Sequence, residues 1–146
     1  MLVLRSFLSL GAAGAAERVV RSAPELDVMI ADSSDLLERA ALVWAKEQLL
    51  YDGPPRLGEG EALGLVHEIA KRPDCEEGLV ALLASPKQLV VAYALMTLRC
   101  MGSQAVANLA DDLLNRRENI SVQSGSIRIG MDLGGLARQY RKEARS

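Results

Sequence analysis

The sequence predicts a mainly α-helical fold, and three observations carry that expectation. Pro86 to Met101 reads PKQLVVAYALMTLRCM, where only Thr97 and Arg99 are clearly polar between Leu89 and Met101. A run apolar on nearly every side has to be surrounded by other elements, so it is expected to be the central helix. The pairing Ser/Asp-x-x-Gln/Glu recurs at Asp35/Glu38, Asp74/Glu77 and Ser85/Gln88, each time where the apolar period restarts, which is the signature of a helix start. Glu61–Arg72 and Gln104–Arg117 space their apolar residues at helical intervals. The expected architecture is about six helices stacked as antiparallel hairpins, with a small β-hairpin near residues 120–131.

Taken in order, Met1–Arg21 admits three readings. It is a first helix with Leu4, Phe7, Leu8, Gly11 and Ala15 on one face, a cleaved export signal, or an organellar presequence rich in Arg and Ser. Its apolar core is about ten residues, too short to cross a bilayer. The remainder, residues 23–146, is expected to form a single helical domain. Ser22-Ala23-Pro24-Glu25 suits a helix start, with Pro in the first turn and an acid at the positive end of the dipole. That helix should break at Asp32-Ser33-Ser34-Asp35, and Leu36–Tyr51 should follow with Leu37, Ala40, Ala41, Trp44 and Tyr51 along one side. Trp44 at that spacing is an inter-helix anchor before it is a ligand platform. Asp52–Gly60, with three Gly and two Pro, reads as a linker.

Beyond the linker, Glu61–Arg72 places an acid at its start and Lys71 and Arg72 at its end, and Pro73 stops it. Cys75–Ala84 should be a short helix behind an Asp74/Glu77 capping box. The central helix should start behind Ser85 with Pro86 at its first position and stop at Gly102; the rival reading is a strand, since Val90, Val91, Tyr93 and Thr97 favour sheets. Ser103 should cap one amphipathic helix over Gln104–Arg117. In Asn119–Leu133 the period changes to alternation around Gln123-Ser124-Gly125-Ser126, the pattern of a β-hairpin that must lie on the helices; a third-repeat helix over Ser126–Lys142 is the alternative. Leu136–Ala144 should be a helix exposing Arg138, Arg141, Lys142 and Arg145.

Composition bounds the function. The chain has 49% hydrophobic and 25% charged residues, enough for one core, and only 3% aromatics, so that core is filled by Leu, Val and Ala. The net charge of −2 conceals an asymmetry: Glu25–Glu77 carries thirteen acids against five bases, and Arg116–Ser146 seven bases against three acids. The two regions either neutralise each other across neighbouring helices or, at opposite ends, stay free for another chain, with self-association as one outcome. Cys75 and Cys100 form neither a C-x-x-C pair nor a zinc pattern, so buried, reduced thiols and a reducing, cytoplasmic setting are expected, with export or an organelle as the alternative if the first residues are cleaved.

Catalytic chemistry finds little purchase. His67 is the only histidine, at the edge of an apolar face, where a partly buried structural role is ordinary. Glu76-Glu77 and Asp111-Asp112 are neighbours in sequence and diverge on a helix. The glycines at 11, 14, 58 and 60 lack the strand, Lys and hydroxyl of a phosphate loop. No catalytic residue, cofactor or metal ligand is nominated. The candidate partner-binding residues are Arg138, Arg141, Lys142 and Arg145.

A shift of thirty residues superposes Ala62 on Ala92, Leu65 on Leu95, Val66 on Met96, Ala70 on Cys100, Leu79 on Leu109, Val80 on Ala110 and Leu83 on Leu113. ALGLVHEIA then GLVALLAS, followed by AYALMTLRC then NLADDLLN, read as consecutive helix pairs, with units at 61–85 and 86–117. In these the chain resembles the HEAT-like family of short helical repeats, although the inter-repeat Asp and Arg usual in that family are missing. The resemblance implies a stacked superhelix and a protein-binding scaffold. The rival classes are a nucleic-acid-binding module using the basic C-terminal helix, and a small enzyme.

Overall fold

The computed structural model describes residues 23–49, 55–58, 60–124 and 126–145. Within them lie seven α-helices: α1 (Ala23–Asp32), α2 (Leu36–Leu49), α3 (Gly60–Ala70), α4 (Glu76–Leu82), α5 (Gln88–Met101), α6 (Asp111–Leu114) and α7 (Leu133–Arg145). Three strands, β1 (Arg56–Leu57), β2 (Asn119–Ser124) and β3 (Ile127–Asp132), form one small sheet. No helix among the described residues is long and apolar enough to cross a membrane. The readings for residues 1–22 and for Tyr51 lie outside the described residues.

The core is built around α5, which buries every residue from Leu89 to Leu95 as well as Thr97 and Leu98. Each large apolar side chain removed from water there contributes about 1.5–3 kcal/mol. The buried hydroxyls in that stretch are both satisfied: Thr97 donates to the Tyr93 carbonyl at 2.7 Å, and the Tyr93 hydroxyl accepts from Gly58 N–H at 3.0 Å. Helices α2, α3, α4 and α7 and strands β1 and β2 all pack on α5. Trp44 of α2 stacks on Tyr93 with ring centres 5.6 Å apart, and its indole N–H donates to the Ala62 carbonyl of α3 at 3.0 Å. One side chain thus joins three helices, as its spacing led one to expect. Gly102 ends α5 with φ 71°, and Ser103 N–H returns to the Leu98 carbonyl, the closing bond of a Schellman turn.

The capping boxes fare differently from one another. Asp35 accepts from the Glu38 N–H at 2.8 Å and starts α2. At Ser85 the hydroxyl instead accepts from Lys87 N–H, closing a two-residue turn, and extended Lys87 leads into α5, so the helix begins later than the Ser-Pro signal placed it. At Asp74 a 3₁₀ turn over Pro73–Cys75 takes the place of the box, and α4 starts from Cys75 without a side-chain cap. Pro73 favours that turn because it lacks the donor a longer helix would need.

Two expected elements are corrected. The linker holds a strand: β1 pairs in parallel with β2, Arg56 opposite Ser121 and Leu57 opposite Val122, so the hairpin is extended to three strands and anchored by buried Leu57. Gln104–Arg117 is not one helix. Ser103 does cap it, accepting from Ala105 N–H, but a 3₁₀ segment (Gln104–Asn108) gives way to extended Leu109 and Ala110 before the short α6. Beyond α6, at the start of α7, Gly134 N–H donates to the Arg116 carbonyl at 2.8 Å while Leu133 N–H donates to that of Glu118. The β2–β3 hairpin does form, with Ile120 opposite Met131 and Val122 opposite Ile129.

Candidate partner-binding surface

Helix α7 buries Leu133, Leu136, Ala137 and Tyr140 against the 3₁₀ segment, α6 and α5. Arg138, Arg141, Lys142 and Arg145 recur at intervals of three and four, so they share its outer side. The structure therefore brings the four predicted residues together, lining an open depression of about 540 Å³. Two are braced by neutral oxygens: Arg138 donates to Asn115 Oδ1 at 3.2 Å, and Arg145 Nε to the Ala107 carbonyl at 2.8 Å. The acid of α7, Glu143, is drawn away to Arg99 of α5 at 2.8 Å, and that guanidinium lies 4.5 Å over the Tyr140 ring. None of the four cations has a carboxylate partner among the described residues. Burial raises the Tyr140 phenol above its usual value, partly offset by Arg99, so it stays neutral beneath the face.

The same 3₁₀ segment and α6 border a second feature on their side toward α4. An apolar groove of about 610 Å³ is lined by Val80, Leu83, Ala84, Leu109, Ala110 and Leu113, with Asn108, Asp112 and Arg116 as its polar members. Val80, at the groove, is 41% exposed. Arg116 is held in place by donating to the Ser85 and Pro86 carbonyls and by Glu118. The chain is extended at Leu109 and Ala110, and both residues line the groove. Sequence reasoning missed it: no Gly or Pro marks the break. The available signal was Asp111-Asp112, two acids suited to the first turn of a new helix.

The other nominated side chains are scattered. His67 is exposed on α3, not partly buried as its place on the helix suggested. Cys75 is buried, and burial pushes its thiol up, whereas Cys100 is exposed at the end of α5, against the expectation that both are buried. Of the acidic half, α3 packs on α5 and α2, and α1 packs on α2, whereas the basic α7 packs on the 3₁₀ segment, α6, α5 and β3.

No family model, curated protein or solved structure matches the chain.

Proposed function

We propose that the chain is a non-catalytic protein-binding module, a small scaffold in which the unit at 61–85, α3 and α4, and the unit at 86–117, α5 with the 3₁₀ segment and short α6, stack in a HEAT-like manner. Its partner is an acidic segment that inserts an apolar side chain between α4 and α6 and lays carboxylates on α7. The observation that supports this reading is an open apolar groove lined by residues of the 104–114 segment together with the face of α7, a helix packed on that segment, whose four cations meet no carboxylate among the described residues. The groove supplies apolar area, and the cations supply orientation and on-rate.

The nucleic-acid reading draws on the same cations. It is weaker here because Tyr140, the aromatic of α7, is buried, so the face offers charge to phosphates but no stacking platform for bases.

Peptide display against the immobilised chain tests the proposal. Selected peptides should combine Leu, Ile or Phe with several acids, and Val80→Asp should weaken them roughly tenfold, about 1.4 kcal/mol. Peptides selected without acids, or bound equally by Val80→Asp, would contradict it.

A further inference from the structure

The polar side chains at the groove between α4 and α6 differ in whether they are already bound to the chain itself. Arg116 is bound at every nitrogen: Nε and Nη2 go to Glu118, Nη1 to the Ser85 carbonyl, and Nη2 also to the Pro86 carbonyl. An incoming carboxylate would have to displace a partner already in place, and Glu118 has cancelled the charge that would attract it. Asp112 is the opposite case. It is exposed, and its carboxylate makes no hydrogen bond or ion pair among the described residues. Asn108 donates its amide N–H to the Gln104 carbonyl at 3.1 Å, which leaves its Oδ1 open as an acceptor. The unspent side-chain groups at the groove are thus both acceptors, and the net charge there is that of Asp112.

An apolar side chain that enters the groove brings its neighbours in the partner with it. A Glu or Asp beside it would face Asp112 with no free cation to answer either charge. A Lys or Arg can lay its methylenes along the apolar lining and its charged end on Asp112. The position of the acceptors then sets an order. Asn108 and Asp112 belong to the 3₁₀ segment and α6, the wall of the groove on which α7 packs. On that same wall Arg138 reaches Asn115 and Arg145 reaches the Ala107 carbonyl. A segment running from the groove to α7 therefore crosses the acceptors before it meets the cations.

We propose that the partner segment is charge-ordered: an apolar anchor, then a Lys or Arg that pairs with Asp112, then the acids that lie on α7. The order rests on the protein-binding proposal above and names the chemistry of the partner more closely, since an acidic segment without that base would leave Asp112 unanswered.

Peptide display on the wild type and on Asp112→Asn, followed by titration of one selected peptide, tests it. Selection on the wild type should enrich Lys or Arg between the anchor and the acids. Selection on Asp112→Asn should keep the anchor and the acids and lose the base, and Asp112→Lys should replace the base by Asp or Glu. Changing the base of the selected peptide to Gln should weaken binding about two- to fivefold on the wild type, the worth of an exposed ion pair, and leave it unchanged on Asp112→Asn. Because Asp112 is exposed, the helical circular dichroism of both variants should match the wild type. Anchor and acids recovered without a base, or a base enriched equally on Asp112→Asn, would overturn the charge order and leave the protein-binding proposal standing. Peptides without acids would overturn both.

Discussion

Two glycines separate what a backbone needs from what it tolerates. A Cβ at Gly134 would collide with the Leu114 carbonyl and lie 2.7 Å from that of Arg116, so Gly134→Ala must push α7 off its seat and should cost about 2 kcal/mol. At Gly64, in the exposed middle of α3, the added methyl meets nothing, and Gly64→Ala should stabilise by about 0.5–1 kcal/mol. Urea denaturation of both variants reads the opposite signs directly. Glu38 makes a third test at this scale. Burial holds its carboxyl above the usual carboxylate value, with the Ser33 hydroxyl opposing and Asp35 adding to the shift. The folded chain thus binds this proton more tightly than the unfolded one. Its contribution is complete below the ordinary carboxylate value and is lost as pH rises through the raised one. Glu38→Gln should therefore flatten the decline in urea midpoint as pH rises above the ordinary Glu value of about 4.3.

At the scale of elements, the sequence was most readable where burial and local chemistry agree. The helix at 88–101 is legible because nothing else can hold so apolar a run, and Gly102 both breaks the period and adopts the φ that ends it. The β-hairpin is legible because alternation of Ile120, Val122, Ile129 and Met131 cannot face one side of a helix. The break at Leu109–Ala110 was not, because neither Gly nor Pro marks it and the apolar residues keep a helical spacing across it. Likewise β1, two residues long, has no pattern of its own and is defined only by β2 beside it. Trp44 gives this scale its measurement. Trp44→Phe keeps most of the stack on Tyr93 but leaves the buried Ala62 carbonyl without the indole donor, so it should cost about 1–3 kcal/mol. A loss within 0.5 kcal/mol, well under a typical hydrogen bond, would mean that α2, α3 and α5 are held by area alone.

For the whole molecule, the charge asymmetry visible in the sequence acquires a geometry. The α3–α4 region, from Gly60 to Ser85, carries five acids against two bases, α7 four bases against one acid, and both pack on α5. The four α7 cations meet no carboxylate among the described residues, and the groove is a feature that no composition argument could have located. The account stands or falls on whether those two features act on one protein partner. Capture from a nuclease-treated lysate by the immobilised chain, followed by mass spectrometry, is the direct measurement. A discrete protein should be retained by the wild type, weakened as salt rises, and lost both in Val80→Asp and when Arg138, Arg141, Lys142 and Arg145 are all changed to Ala. Retention that disappears with nuclease treatment, or a protein held equally by both variants, would contradict the account.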